Sequence, residues 1–286
     1  NMVSVIIPTY NRAHVLPRAI ESVLKQTVTE LELIVVDDAS TDDTAAVMTA
    51  ITDPRVRYVR KEHGGAAAAR NRGIAEAKGE FIAFQDSDDV WHSDKLEKQL
   101  AYLRAERADA VFCAFHRCEE GGDVWQTFPH EEIHGGVIRY EELLFENLVS
   151  TQTLLAKREV LQQERFNERY PALEDWELAL RIAKAFKLAY LKEPLVDVFV
   201  QRDSLSNHMD RIYAAHRLLF RQHRRAIIRD DRVSQQWMHS FRWCGHACGK
   251  RVVGACLRLM SLRRPPRQNY FYLREAHAEW KGIETY

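Results

Sequence analysis

The first 118 residues alternate between short apolar runs and longer stretches with helical spacing. Val3–Pro8 is rich in β-branched residues and closed by a proline; Leu31–Val36, Val56–Val59, Phe81–Phe84 and Ala110–Phe115 are four further runs. The segments between them (15–26, 43–51, 66–77 and 95–106) read as helices, with Val15, Ala19, Val23 and Leu24 on one face of the first. A run without polar alternation predicts a strand buried on both faces, as in a parallel sheet. Repeated strand–helix units with short links predict an α/β chain with a Rossmann-like, mostly parallel sheet flanked by helices.

Beyond Cys118 the pattern loosens. The polar stretch 119–136, with Gly121-Gly122 and Gly135-Gly136, predicts a long loop or a small hairpin. A short helix (140–147), a strand (151–156), a helix (174–186) and a last strand (195–201) follow. From His208 the chain turns helical and basic over 213–228, 235–248 and 250–262. The expected division is a catalytic α/β body, residues 1–205, and a basic C-terminal helical appendage, residues 206–286.

Composition narrows the class. With 286 residues, 46% hydrophobic and 29% charged, the chain can bury a full core and is neither disordered nor collagen-like. No apolar run approaches the ~20 residues that span a bilayer, and the amino terminus enters a strand pattern with no signal-peptide signature. Five cysteines without CxxC spacing fit buried thiols in a reducing compartment better than disulfides. Cys244-x3-Cys248 leaves a metal as the other reading. A cytoplasmic protein is expected.

The balance of 41 basic and 41 acidic side chains conceals a segregation. Nine Lys/Arg and no Asp/Glu lie between Arg232 and Arg274, leaving 32 basic against 41 acidic elsewhere, a charge of −9. Such a tail predicts an anionic partner. In 250–262 an apolar stripe (Val253, Cys256, Leu257, Met260) opposes Arg251 and Arg258. These arginines, with Arg263, Arg264 and Arg267, suit peripheral docking on the anionic inner face of the membrane, or else a solvated helix face. Nucleic acid is not expected, since no recognition motif accompanies the charge.

In an open parallel sheet, ligands bind outside the carboxyl ends of the strands, so the polar residues after each run are the informative ones. They are Pro8-Thr9-Tyr10-Asn11-Arg12, then 37–42, then His63-Gly64-Gly65 leading to Arg70 and Asn71, then Gln85-Asp86-Ser87-Asp88-Asp89. Five carboxylates at neighbouring tips (Asp37, Asp38, Asp86, Asp88, Asp89) repel one another unless a cation sits among them. Asp86-x-Asp88 suits a hard divalent ion shared with a diphosphate; a solvated acidic turn is the plainer alternative. Ser40 or Thr41 fits the cap of the helix that follows, whereas Asp38 can accept from a base edge or ribose. Residues 63–73 fit neither the dinucleotide nor the P-loop pattern. Arg70 and Arg72, two apart, cannot share a helix face.

Together, Val3–Arg12, Ile34–Asp42, Ala69–Ile74 and Phe84–Asp89 resemble the family 2 glycosyltransferases of the GT-A fold, a likeness covering roughly residues 2–205. The resemblance implies an inverting transferase that uses a nucleotide-sugar donor, in the first instance a UDP-sugar, with Mg²⁺ or Mn²⁺, and a saccharide or lipid-linked acceptor. It implies nucleotide contacts from Pro8, Thr9, Tyr10, Asn11, Asp37, Asp38, Arg70, Asp86 and Ser87, and metal contacts from Asp86 and Asp88. Glu174-Asp175-Trp176 matches the family's acidic pair at an acceptor-side helix start. Asp175 is then the base that takes the acceptor proton, with Glu174 as its substitute, or else a helix-start charge. Trp176 either walls a sugar ring or belongs to the core.

Within 202–208, Arg202 fits a diphosphate clamp and His208 a third metal ligand, against a surface ion pair and an exposed loop histidine. Gln236 and Arg242-Trp243 are five residues apart, unlike the Gln-x-x-Arg-Trp of processive synthases, so one or few sugars are transferred. A sugar-phosphate nucleotidyltransferase would carry a glycine-rich loop after the first strand, which is missing here. Intact Asp86, Asp88 and Asp175 oppose a catalytically inactive nucleotide-sugar-binding module.

Overall fold

The structure, a computed structural model, describes residues 2–119, 121–130, 132–199 and 208–247. Its strands are β1 (Val3–Thr9), β2 (Leu31–Asp37), β3 (Val56–Arg60), β4 (Phe81–Phe84), β5 (Val90–Trp91), β6 (Ala110–Cys118), β7 (Val124–Phe128), β8 (Gly136–Val137), β9 (Leu154–Lys157) and β10 (Leu188–Phe199). They form one sheet in the order β3-β2-β1-β4-β9-β6-β10-β5, with β7 on β6 and β8 on β10. Pairing is parallel across β3, β2, β1 and β4 and between β6 and β10. Strand β9 runs antiparallel to both β4 and β6, so β4 and β6 point the same way.

Both faces of the sheet are covered, as the unbroken apolar runs require. Every residue of β1 and β2 is buried. Val3, Val5 and Ile7 pack with α1 (Leu16–Leu24) and α4 (Lys95–Ala105) on one face. Ile6, Ile34 and Val36 face α3 (Ala66–Glu76), α5 (Tyr140–Phe145) and α7 (Glu174–Ala185) on the other. Helices α2 (Thr44–Ala50) and α6 (Arg158–Gln163) complete the body, and α8 (Met209–Arg229) and α9 (Asp231–Ala247) follow it.

The structure departs from the sequence reading in several elements, among them β10, residues 151–156 and the cap of α2, and realises one of its two options for 119–136. Strand β10 begins at Leu188, seven residues before the expected start, because it crosses Lys192-Glu193-Pro194 with shifts of register instead of ending there. The expected strand 151–156 is a 3₁₀ turn (Thr151–Thr153) followed by β9. Of the two options for 119–136, the hairpin forms, with β7 antiparallel to β6. The N-cap of α2 is Asp43, without a side-chain cap bond, while Asp42 Oδ1 accepts from Thr44 N at 3.1 Å; Ser40 and Thr41 are engaged with Asn11.

The C-terminal helices share the core of the body. Trp237 of α9 is buried, donates Nε1–H to the Leu144 carbonyl at 2.8 Å and stacks on Trp176 at 5.3 Å between centroids. The helix expected at 250–262 and the arginines at 251, 258, 263, 264 and 267 lie outside the described residues. So do Cys248 and Cys256, while Cys113, Cys118 and Cys244 are buried free thiols.

Helix α3 approaches β1 closely at Gly73, where a Cβ would drive into the branched, buried Ile6 side chain. Gly73→Ala is therefore expected to destabilise the fold by about 1–3 kcal/mol. Urea unfolding against wild type checks it.

Candidate active site

The carboxyl ends of β1 and β2 build a cleft whose wall is tied together by buried side chains. Asp38 is 3% exposed, and its carboxylate accepts from Lys61 Nζ (2.7 Å), His63 Nδ1 (2.9 Å), Gly64 N (2.9 Å) and Gly65 N (2.7 Å). Burial alone would raise its pKa; the ammonium and the two amides outweigh burial and hold the carboxyl below its ordinary range. Asp38 thereby fixes the loop that starts α3, where Gly65 at φ +88° makes a turn natural only to glycine. Asp37, fully buried, accepts from the Tyr58 hydroxyl and from Ser40 N (2.8 Å).

Asn11, at φ +53°, accepts from Thr41 N at 2.8 Å and so laces the β1 tip to the β2 tip. Two groups in this wall are not used by the fold. The Thr9 hydroxyl is buried with no hydrogen-bond partner, and Tyr10, 46% exposed, lies on the His63 ring at 4.8 Å between centroids. Pro8 lies buried within β1.

Beside this wall lies the charged centre. The guanidinium of Arg70 is buried; Nη2 donates to Asp86 Oδ1 at 2.9 Å, and Nη1 donates to Glu174 Oε1 at 2.8 Å. Its Nε has no partner, and the group sits over the Phe166 ring at 5.4 Å. Burial disfavours the cation, but the Asp86 and Glu174 charges keep it protonated, and its pKa is raised. Arg72, by contrast, is exposed and pairs with Glu76.

The turn after β4 crowds three carboxylates together. Ser87 and Asp89 are buried, and Asp86 and Asp88 are half-buried. Asp89 accepts from Phe199 N at 3.1 Å. Burial, then the Asp88 and Asp86 charges, push its pKa well up. The Asp88 carbonyl accepts from Arg18, whose guanidinium also covers the Phe199 ring.

Helix α7 begins at Glu174 behind Leu173, which takes the left-handed conformation at φ +59°, a costly backbone choice for a side chain of that size. Asp175 is half-buried, and its Oδ1 accepts from Trp176 N at 2.7 Å. Burial and then the neighbouring Glu174 charge push its pKa up to about 7, against the opposing pull of Arg70. A carboxyl poised near neutrality beside a fixed cation is suited to proton transfer.

The structure thus joins Arg70, Asp86, Glu174 and Asp175 in one cluster, and Asp38 with the 63–65 loop in an adjoining wall. His208 is not assembled with the acidic turn. It is exposed at the start of α8, where its carbonyl accepts from Arg211 and Ile212. Among the described residues no three His, Cys, Asp or Glu side chains converge as a metal cage. Arg202 lies outside the described residues. Trp176 is a core residue, donating Nε1–H to the Leu143 carbonyl at 2.6 Å. Sequence reasoning passed over Lys61 and Arg18; Lys61 directly follows β3, so the strand-end rule used for the other tips also reaches it.

The fold is an α/β sheet covered on both faces, with its charged cluster at the carboxyl ends of the strands. Residues 4–164 match the family described as glycosyl transferase family 2, and the chain belongs to that family. It is 34% identical over 198 residues to an uncharacterized glycosyltransferase of Rickettsia conorii, covering 68% of this chain but only 32% of that longer protein. It is 33% identical over 184 residues to the Escherichia coli UDP-Glc:alpha-D-GlcNAc-diphosphoundecaprenol beta-1,3-glucosyltransferase WfgD, covering 64% of this chain and 70% of the relative.

Two solved structures share the architecture. TarS 1–349 of S. aureus, in complex with UDP-GlcNAc, superposes with a TM-score of 0.66 at 19% identity over 91% of this chain and 84% of the other. Mannosyltransferase PcManGT of Pyrobaculum calidifontis, with GDP-Man and Mn²⁺, gives 0.60 at 21% over 99% and 80%. At these identities the likeness establishes the fold.

Removing the central cation exposes the logic of the cluster. Arg70→Met is expected to cost about 3–5 kcal/mol at neutral pH, since Asp86, Glu174 and Asp175 are left facing one another. Asp175, whose pKa is raised to about 7, favours the native state as it protonates. Part of the loss should therefore return between pH 7 and pH 4, read from urea midpoints against wild type.

Proposed function

We propose that the chain transfers a glycosyl group, with inversion, from a UDP-sugar to a hydroxyl of a saccharide or lipid-linked saccharide. The observation that carries this reading is the buried Arg70 bridge. It connects the acidic turn, where a diphosphate would leave, to the helix start that carries Asp175. The cleft wall with its unpartnered Thr9 hydroxyl and exposed Tyr10 offers contacts for a nucleoside. The relative WfgD, with a UDP-Glc donor and a diphosphoundecaprenol-linked acceptor in its name, supports the donor and acceptor class.

In this scheme Asp175 takes the proton of the acceptor hydroxyl. The oxygen attacks the anomeric carbon from the side opposite the diphosphate, the new C–O bond forms, and the bond to UDP breaks with its electron pair leaving on the diphosphate. Glu174 is held by Arg70, and its charge beside Asp175 raises the basicity of Asp175. Arg70 keeps a fixed positive charge beside Asp86, positioned to steady the departing diphosphate.

The donor set of the acidic turn fits a hard divalent ion. It consists only of carboxylate oxygens, the donors a hard divalent ion prefers. Asp86 and Asp88 would hold Mg²⁺ or Mn²⁺, which supplies further charge neutralisation of the leaving diphosphate. PcManGT carries Mn²⁺ in its structure.

The anionic-membrane partner belongs to this proposal. No described helix is long and apolar enough to cross a membrane. Helix α8 exposes Arg217, Arg221, Arg224 and Arg225 within three turns, a face suited to an anionic leaflet that presents a lipid-linked acceptor. Sedimentation with phosphatidylglycerol vesicles at low salt should exceed that with phosphatidylcholine vesicles, and equal binding removes this partner.

Asp175→Asn should lower transfer by about 10²–10⁴-fold while UDP affinity changes little. Wild-type kcat/KM should rise with pH and level off above about 7, as Asp175 loses its proton. Full activity in the Asn variant, or a profile flat from pH 5 to 8, removes the base assignment.

A further inference from the structure

In α3, Arg70 is followed by a side chain whose bonds cross to residues 95 and 97 positions away. Asn71 reaches the segment between α6 and α7, where it meets Phe166 twice. Its Nδ2 donates to the Phe166 carbonyl at 2.9 Å, and its Oδ1 accepts from Phe166 N at 3.0 Å. The same Nδ2 donates to Glu168 Oε1 at 2.8 Å. A carboxamide that gives one bond to a residue and takes one back fixes that residue's backbone much as a neighbouring strand would.

The residue so fixed is the one that covers the charged cluster. Phe166 is buried, its ring meets Phe84 edge-on at 5.2 Å, and the Arg70 guanidinium lies 5.4 Å from its centroid. Phe84 is the last residue of β4, directly before the acidic turn. The ring therefore rests on the root of that turn and on the cation at once. Arg70 is gripped by carboxylates at Nη1 and Nη2, while its buried Nε has no partner. Water admitted beside Nε would compete with Asp86 and Glu174 for the cation and weaken both ion pairs. Two consecutive residues of α3 thus hold one segment: Arg70 at Glu174, where α7 starts, and Asn71 further back at Phe166.

We infer that Asn71 is a positioning residue for the transfer: it clamps Phe166 over Arg70, and through the Arg70–Glu174 pair it sets where Asp175 stands. Asn71 itself touches no reacting group. Without the clamp the connecting segment is free to lift, the ring leaves the guanidinium, and the pair that fixes the start of α7 loosens. A small displacement of a base from its line of attack is enough to slow the reaction. The effect on transfer rests on the glycosyl-transfer reading; the effect on Arg70 does not.

Nitrogen–proton NMR of the full chain follows the Arg70 guanidinium directly, its Nε–H signal assigned by its loss in Arg70→Lys. In wild type that proton should exchange slowly with water. Asn71→Ala should speed the exchange roughly tenfold or more, the size expected from losing the two bonds to Phe166. Phe166→Leu keeps the backbone bonds to Asn71 but removes the ring, and should do the same; it carries the test if Asn71→Ala does not fold. Glu168→Gln, which leaves the Phe166 pair intact, should keep the wild-type rate. Exchange unchanged in Asn71→Ala or in Phe166→Leu overturns the inference, and so does an equal rise in Glu168→Gln. UDP release from UDP-glucose, UDP-galactose and UDP-GlcNAc with Mn²⁺ gives the second readout, where Asn71→Ala should lower kcat roughly tenfold. Faster exchange with unchanged kcat removes the link to Asp175. Absence of UDP release by wild type would count against the transferase reading alone, and guanidinium exchange that depends on Asn71 would still stand.

Discussion

The interaction on which the site depends is the buried guanidinium of Arg70 held between Asp86 and Glu174. Taking an arginine out of water costs several kcal/mol unless carboxylates accept it in good geometry. Here two do, at 2.9 and 2.8 Å. Their sequence separations from Arg70 are 16 and 104 residues, so a single side chain staples the first half of the sheet to the helix that carries Asp175. The staple works only because α3 lies close enough to β1 for the guanidinium to reach inward, and Gly73 is what permits that approach. An ordinary packing constraint thereby sets the distance between the two ends of the chemistry.

The strand-tip carboxylates divide their labour in a way the motif alone conceals. Asp37 and Asp38 are adjacent, yet both are consumed by the fold: one by Tyr58 and Ser40, the other by Lys61, His63 and two glycine amides. Their physical effect is to hold the cleft wall rigid, so that the groups left over, the Thr9 hydroxyl and the Tyr10 ring, are already in place. Asp86 is held by Arg70, and Asp89 accepts from Phe199 N.

Much of this was legible in the sequence because β-branched apolar runs and helical spacing are local signals. β1 to β4 and α1 to α4 fell within a few residues of their expected limits for that reason. The polar residues after those strands could be singled out because a parallel sheet gathers its strand ends. What stayed hidden is non-local. Nothing near residue 70 announces Glu174, and nothing near Asp38 announces that Lys61 and the 63–65 loop will saturate it. Pro194 reads as a strand breaker, yet β10 passes through it because β6 offers a partner on both sides of the irregularity. For 119–136 a loop and a hairpin both stay open in the sequence, because the partner strand β6 is what decides between them.

The C-terminal helices bear on the chemistry despite their distance from it. Trp176, which immediately follows Asp175, is clamped by a stack on Trp237 of α9 and by an edge contact with His216 of α8. Both histidines on the buried face of α8 are disfavoured as cations by burial, with the pKa of His223 down to about 4. The start of α7 is therefore held from two directions, by Arg70 through Glu174 and by the aromatic cluster through Trp176. Leu173 can be kept in its left-handed conformation only because both ends are fixed. The helical segment that sequence division would set apart is, in packing terms, the back wall of α7. A change in how α8 and α9 seat on the body would move Asp175 relative to Asp86 without touching either residue.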